Sequence, residues 1–234
     1  MPAGLHNLQA GQNSEGSEGM IDPYDLTKGW DERRVQEWFL FGVCVAGKSA
    51  RQTADKVEAL LTDMIAFARN NRRSLINFAP RVEMANLTPF GAVNYAILFG
   101  KLGYFLRKHK MGQYTRINKA FRGMVKTDPQ TVTLEELEQI HGVGAKTARM
   151  LLLYTRPDQE MIPLDTHILK WLRAHGYDAP KGTPPPGKKY RELESAFIAE
   201  GRKRGLSPKE WDTIVWQQYA QQVSGWLPPP PAEG

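Results

Sequence analysis

A lysine and an aspartate near the middle of the chain have types and spacing that could do chemistry together. Lys146 follows the glycine-rich turn 142–144, and Asp165 stands nineteen residues further along. An amine can attack an electrophilic carbon and then form an iminium, which draws electrons from neighbouring bonds; a hydroxyl cannot. A carboxylate nearby can accept a proton or stabilise developing positive charge. Side chains of these two types are able to carry out nucleophilic catalysis together where a fold brings them close to each other.

Each of these residues also has a simpler interpretation. Lys146 falls in the first turn of a predicted helix, where the helix dipole disfavours a cation, so it could be solvated or contact a phosphate. Asp165 precedes an amphipathic helix that ends at Gly176, which makes it a natural N-cap. We expect His167 on the surface of that helix rather than as a metal ligand. From the residues alone these alternatives stay open.

Two short helices are predicted to position the lysine. Thr133 and Glu136 form a capping box that starts the first helix, and the second helix begins at about Ala145. Glycines between them allow a sharp turn and leave bare amides at a helix amino terminus, which suit a phosphate oxygen. The span 133–154 therefore predicts a hairpin of two helices that binds nucleic acid without sequence preference.

The remaining pattern is helical throughout. Apolar residues recur at spacings of three and four, and strand-like alternation is nearly absent, so we predict an all-α fold. Further helices are expected from about Asp31 to Cys44, over Ala50 to Asn70 and over Ala92 to Lys108. The predicted organisation is a disordered tail at 1–19, a domain at 20–226 and a proline-rich tail at 227–234.

The positive charge is concentrated in one stretch. Residues 101–126 hold eight Lys and Arg and no Asp or Glu, an excess larger than the net charge of +6 of the whole chain. A solvated helix face is one interpretation of such a run. Because Tyr104, Phe105, Tyr114 and Phe121 are interleaved with the cations, a surface for a polyanion is the other.

The cysteine count excludes several kinds of site. With Cys44 alone, the chain cannot form an internal disulfide, a four-thiolate zinc site or a cysteine-ligated iron–sulfur cluster. No apolar run approaches the roughly 18 residues of a membrane span, and the amino terminus lacks the pattern of a signal peptide. We therefore expect an intracellular protein, in the cytoplasm or nucleoid, without a membrane partner.

The motifs around Lys146 and Asp165 resemble those of a known family. The motif Gly-Val-Gly-x-Lys-Thr-Ala, followed by Leu-Asp-Thr-His-Ile, is similar to the signature of the helix-hairpin-helix DNA glycosylases. The resemblance implies a two-lobed all-α fold in which Lys146 attacks the sugar C1′ and Asp165 lies beside it. A lysine at this position implies base excision followed by strand nicking. It also implies a monomer that binds double-stranded DNA containing a damaged base.

Other stretches narrow the resemblance to one branch. The endonuclease III branch carries four clustered cysteines after the aspartate helix, and this chain has none there. The segments 46–53, 190–194 and 210–216 resemble the cluster-free archaeal and bacterial 8-oxoguanine DNA glycosylase/AP lyases. This implies removal of an oxidised base, with 8-oxoguanine as the expected lesion, and a lobe in which the amino-terminal helix packs with the last helices.

The resemblance also implies a set of contacts. We expect no cofactor and no metal, apart from a monovalent cation that the hairpin carbonyls could hold, and we expect Lys48 to act as the wedge in the DNA. The expected DNA-binding residues are Gly142, Val143, Gly144, Lys48, Arg51, Arg149 and Lys170. The expected base pocket contains Trp216 and Phe39, whereas Trp171 and Trp211 are expected in the core.

Two alternatives remain open from the sequence. The first is an endonuclease III-like glycosylase/lyase for pyrimidine lesions that has lost its cluster. The second is a DNA-binding hairpin module that performs no chemistry.

Overall fold

The computed structural model describes residues 30–71, 87–156 and 158–220. Within these ranges every regular element is an α-helix and no strand occurs, which confirms the predicted all-α class. The ten helices described are α1 (Glu32–Val45), α2 (Ala50–Asn70), α3 (Pro89–Leu98), α4 (Leu102–Lys108), α5 (Tyr114–Met124), α6 (Leu134–Gln139), α7 (Ala145–Thr155), α8 (Thr166–Ala174), α9 (Lys188–Lys203) and α10 (Pro208–Ala220).

Helix α1 runs through the middle of the molecule. Its N-cap, Asp31, accepts a hydrogen bond from the Arg34 amide, and most of the helix from Val35 onward is buried. It packs against α2, α3, α5 and α7. The expectation that this helix would pack with the last helices is therefore wrong: its apolar surface is covered mainly by the central ones.

The predicted helix from Ala92 to Lys108 is in fact two helices, α3 and α4. The chain turns between them at Gly100, whose φ of +66° lies in the left-handed region that favours glycine. The Lys101 amide donates to the Ala96 carbonyl at 2.7 Å, which closes the end of α3 in the manner of a glycine C-cap. A glycine inside an apolar helical pattern was the local signal for this break.

The predicted helical hairpin around Lys146 is present. The Glu136 amide donates to Thr133 Oγ1 and the Thr133 amide donates to Glu136 Oε2, so the capping box starts α6 as expected. Gly144 is the N-cap of α7. Gly142 has a φ of +93° and lies so close to α5 that an added Cβ would come within 2.9 Å of the Arg116 carbonyl oxygen. Both requirements explain a glycine at this turn.

The last three helices form a packed unit in which α10 contacts α7, α8 and α9. Its centre is aromatic: the Trp171 ring meets Trp211 edge-on at 5.4 Å, and Phe197 lies against both. Trp171 and Trp211 are fully buried, which confirms their predicted place in the core. Gly201 lets α10 approach α9 closely, because an added Cβ would lie 2.8 Å from the Trp211 ring.

The predicted tails at 1–19 and 227–234 lie outside the described residues. In the part of the chain that the structure describes, the helices are too short or too polar to cross a membrane.

Candidate active site

A single cavity of about 1050 Å³ brings Lys146 and Asp165 together. Its walls come from the end of α1 and the following loop, the start of α5, the hairpin turn, α7, the segment before α8 and one face of α10. The two residues selected from the sequence therefore share one site, although nineteen residues of chain separate them.

Lys146 reaches this cavity from the first turn of α7. Besides Ala145 at its start, the residues of that helix that line the cavity are Lys146, Thr147, Met150 and Tyr154, and these four lie on one helical face. Among the described residues, the Lys146 ammonium has no hydrogen-bond or ion-pair partner. The amine is thus available to a molecule that enters the cavity.

Asp165 is the N-cap of α8, as its position predicted. Its Oδ1 accepts hydrogen bonds from the amides of His167 and Ile168, at 2.8 and 2.9 Å. These two bonds fix the carboxyl group at the cavity wall, and within the described ranges Oδ2 has no hydrogen-bond partner. Capping and chemistry are therefore compatible, because one oxygen caps the helix while the other is left for a ligand.

A third acidic side chain, Asp212 on α10, lines the same cavity and was not among the predicted site residues. It is 3% exposed, and the Tyr154 hydroxyl donates to its Oδ2 at 2.5 Å. Burial raises the pKa of Asp212 to about 7; the Tyr154 hydrogen bond and the charge of Lys146 oppose this, and the charge of Asp165 adds to it. Asp212 therefore lies near enough to feel the charges of both predicted residues.

In the sequence, Asp212 lies in the segment 210–216 that was singled out above, four residues before Trp216. Residues four apart on a helix share a face, and both side chains line the cavity. Trp216 is half-buried there, with its ring edge-on to His167 at 6.4 Å between centroids. Trp216 therefore lines the cavity, and its contact with a base stays a prediction.

Phe39, the other predicted base-pocket residue, is wrongly assigned. Its side chain is 0% exposed and belongs to the core. The residues of α1 that line the cavity are Trp38, Phe41 and Val45. Because Phe39 lies about 100° further around the helix than Trp38, its ring points away from that face.

Arg149 is also wrongly assigned as a DNA contact. It is 5% exposed, and its guanidinium binds the carboxylates of Glu138 and Glu194. It leaves α7 on the flank that faces these two residues rather than the cavity. The sequence contained no local sign of this burial, because Glu194 is 45 residues away.

The other predicted cations lie at or near the surface. Arg51 is exposed and lies 3.6 Å from Asp55 one turn further along α2. Lys170 is exposed, with its ammonium 5.4 Å from the centre of the Tyr219 ring. Both positions are accessible to a polyanion.

Lys48 lines the cavity, but its ammonium is held by the protein. It donates to the Cys44 carbonyl at 2.8 Å and to the Met111 carbonyl at 2.6 Å. Burial lowers its pKa. A wedge role, which stays a prediction, would require the side chain to leave these two carbonyls.

The hairpin turn is held by Arg116 from α5. The guanidinium donates to the Gly142 carbonyl at 2.8 Å and to the Val43 carbonyl, at the end of α1, at 2.7 Å. Val143 is buried, whereas Gly144 is exposed and gives α7 no side-chain cap. The first amides of α7 are thus left for an anion. The Val143 amide is already used within the turn, where it donates to the Ile140 carbonyl at 2.9 Å. DNA contacts at Gly142, Val143 and Gly144 stay predictions.

A basic stripe consists of Lys119 and Arg122 on the outer face of α5 and Lys126 in the turn that follows this helix. All three are exposed, and the opposite face of the helix is buried. From Arg116 at the cavity wall to Arg122 the helical rise spans about 9 Å, and Lys126 follows just after the end of the helix. The charge run 101–126 thus includes both a cavity residue and a solvent-facing row of cations.

Within the described ranges, no group of three or more His, Cys, Asp or Glu side chains is arranged to hold a metal ion. The monovalent cation at the hairpin carbonyls stays a prediction.

In comparisons with known proteins, none of the family models matches the chain, and no solved structure is significantly similar to it.

Proposed function

We propose that this protein is a bifunctional DNA glycosylase/AP lyase that removes a damaged base and nicks the strand. The observation that carries the proposal is the shared cavity, which is lined by Lys146, by Asp165 and by Gly142 and Gly144 of the hairpin turn. A nucleophilic amine, a capped carboxylate and an anion-binding helix start are the groups that this reaction needs.

The chemistry begins with attack of the neutral Lys146 amine on the sugar C1′. The glycosidic bond between C1′ and the nitrogen of the base breaks, its electron pair goes to the base, and the base leaves after taking a proton. The C1′–O4′ bond of the sugar ring then breaks, its electron pair goes to O4′, which takes up a proton, and an iminium forms between C1′ and the lysine nitrogen. Loss of a C2′ proton then expels the 3′ phosphate with the C3′–O electron pair, and water hydrolyses the iminium to regenerate the amine.

The carboxyl groups have separate tasks in this scheme. Asp165, fixed by its capping bonds, stabilises positive charge at the sugar and accepts the proton that Lys146 loses. Asp212, with a pKa of about 7, carries a proton in part of the population at neutral pH and can supply it to the departing base. Two carboxyls in unlike environments suit a step that needs both a base and an acid.

The substrate must reach the cavity as an extruded nucleotide, because a stacked duplex shields C1′. A volume of about 1050 Å³ is ample for one nucleotide, and the aromatic rings of Trp38, Phe41 and Trp216 offer apolar surface to a base. Outside the cavity, the amides of the hairpin and the basic stripe provide positive charge for the phosphates.

The two-lobed helix-hairpin-helix arrangement belongs to the same proposal. Its support is the packing: α1 to α5 contact one another, α8 to α10 contact one another, and α7 contacts α1, α6 and α10. The cavity is lined from both groups of helices. We further propose an oxidised base, with 8-oxoguanine as the expected one, because the chain lacks the cysteines that the iron–sulfur branch uses.

Borohydride trapping tests the proposal. The protein is incubated with duplexes containing 8-oxoguanine, an oxidised pyrimidine or an abasic site, each with the opposite base varied, and sodium borohydride reduces any iminium to a stable adduct. We expect an adduct with 8-oxoguanine that Lys146→Gln abolishes and that the control Lys181→Gln, at an exposed lysine away from the predicted DNA contacts, keeps.

The other outcomes separate the alternatives. An adduct restricted to pyrimidine lesions would replace the expected lesion class, whereas tight binding to every duplex with no adduct would leave a DNA-binding module without chemistry.

A further inference from the structure

We propose that Glu194 on α9, supported by Tyr190, is a positioning residue that locks the segment before Asp165 against the helix that carries Lys146. This inference rests on the proposed function, because it concerns the geometry of the same catalytic pair. Neither side chain lines the cavity, so any effect on the reaction must act through Lys146 and Asp165.

Glu194 joins the two catalytic elements through one oxygen. Its Oε1 accepts a hydrogen bond from Arg149 Nε at 2.9 Å and another from the Ile162 amide at 2.8 Å. Arg149 lies three residues after Lys146 on α7, and Ile162 lies three residues before Asp165. A single buried carboxylate therefore ties the nucleophile helix to the aspartate segment.

Tyr190, one turn earlier on α9, fixes the same segment at two more points. Its hydroxyl accepts from the Leu164 amide at 2.9 Å and donates to the Ile162 carbonyl at 3.0 Å. The Arg149 guanidinium lies over its ring, 4.2 Å from the centre. Side chains of α9 thus hydrogen-bond to three backbone groups just before Asp165: the amide and the carbonyl of Ile162 and the amide of Leu164.

The buried Arg149 guanidinium is paired with two carboxylates, those of Glu194 and Glu138. Glu194 is 8% exposed, and burial raises its pKa, opposed by the Ile162 hydrogen bond and by Arg149. Glu138 on α6 takes the second ion pair of the guanidinium. A buried ion pair by itself is weak support for stability, since apolar residues often replace one at no cost. What an apolar pair cannot supply is the acceptor for the Ile162 amide.

A small loss of this geometry is expected to have a large kinetic effect. The reaction needs the amine and the carboxylate within contact distance of one sugar, and a misplacement of about 1 Å in such a pair costs on the order of a hundredfold in rate. Glu194 and Tyr190 act on the relative position of these groups rather than on DNA, so affinity is expected to stay unchanged.

The test compares variants of α9 by single-turnover base excision, borohydride trapping on an abasic-site duplex, and affinity for undamaged duplex. Glu194→Ala is expected to lower both reaction rates by about tenfold or more while affinity stays within about twofold. Glu194→Gln keeps an oxygen acceptor for the Ile162 amide and is expected to restore most of the rate. The matched control is Glu200→Ala, which removes a carboxylate from the same helix that binds Tyr177, Lys203 and Arg204 instead.

A second variant guards against loss of folding. Tyr190→Phe keeps the ring under Arg149 and removes only the hydroxyl, so it is expected to fold and to lower the rate severalfold. Amide hydrogen exchange of Ile162 and Leu164 supplies a readout independent of the reaction, and it is expected to quicken in Glu194→Ala and Tyr190→Phe but not in Glu200→Ala.

The two proposals fail in different ways. Wild-type protein that forms no adduct would overturn the proposed function and this inference with it. Wild-type protein that reacts, together with Glu194→Ala and Tyr190→Phe variants whose rates match Glu200→Ala, would overturn this inference alone.

Discussion

Substitution of Asp165 by asparagine separates the two roles that the structure gives this residue. Oδ1 caps α8 through the amides of His167 and Ile168, and an asparagine Oδ1 can accept the same two hydrogen bonds. Asparagine and aspartate are about equally good N-caps. The charge, and with it the ability to accept a proton, is lost.

The expected magnitudes differ widely between stability and rate. Losing the charge at the amino terminus of α8 costs less than about 1 kcal/mol, which lowers the melting temperature by about 2–4 °C for a chain of this size. Asp165→Ala also loses the capping bonds, at a further cost of about 1 kcal/mol. Removing a group that accepts a proton in the transition state costs about a hundredfold or more in rate, or roughly 3 kcal/mol of barrier.

The assay pairs thermal unfolding with single-turnover base excision at saturating protein. Asp165→Asn is expected to melt within a few degrees of wild type, to bind the damaged duplex normally and to excise at least about a hundredfold more slowly. Asp165→Ala should be equally slow but clearly less stable. An Asp165→Asn variant that excises within about fivefold of wild type, a barrier change of about 1 kcal/mol, would refute the catalytic role and leave only the cap.

Three further predictions concern Asp212, the basic stripe and the glycines of the hairpin turn. Burial raises the pKa of Asp212 to about 7 in the folded state, so the contribution of this side chain to stability is full below its unfolded pKa and is lost as the pH rises through 7. In chemical unfolding, Asp212→Asn should therefore be more stable relative to wild type at pH 8 than at pH 4. An equal difference in stability at the two pH values would contradict the burial argument. Replacing the cations of the basic stripe by glutamine should reduce the slope of log K against log salt concentration for duplex binding by about 0.9 per cation removed. A control variant that neutralises the exposed cations Lys181, Lys188 and Arg202 elsewhere should leave this slope unchanged. Gly142→Ala should destabilise by about 1–3 kcal/mol, because of the positive φ and the close Arg116 carbonyl, and Gly144→Ala, which has open space around the new Cβ, should lose less; equal melting temperatures would show that the turn can relax.

The elements with local signals were predictable from the sequence. The capping box of Thr133 and Glu136 and the N-cap at Asp165 depend on residues two or three positions apart, and both are present as predicted. Helix α2 also has the predicted bounds, because its apolar spacing is regular from Ala50 to Asn70. The break at Gly100 was visible in the residue but ambiguous, since helices tolerate an isolated glycine.

The misassigned residues depend on partners far along the chain. Arg149 was expected to contact DNA from the family resemblance alone, yet its partner Glu194 stands 45 residues further along the chain. Phe39 and Trp38 are adjacent aromatic residues, and only the packing of α1 decides which of them faces the cavity. Asp212 acquires its raised pKa from burial beside Tyr154, which no local pattern reveals.

The most direct test of the account is to locate the covalent bond. Wild-type protein is trapped with borohydride on an 8-oxoguanine duplex, the DNA is digested, and peptide mass spectrometry identifies the residue that carries the sugar remnant. The account predicts the remnant on Lys146 and no adduct from Lys146→Gln. A remnant on another lysine, or no adduct with any damaged or abasic duplex, would contradict it.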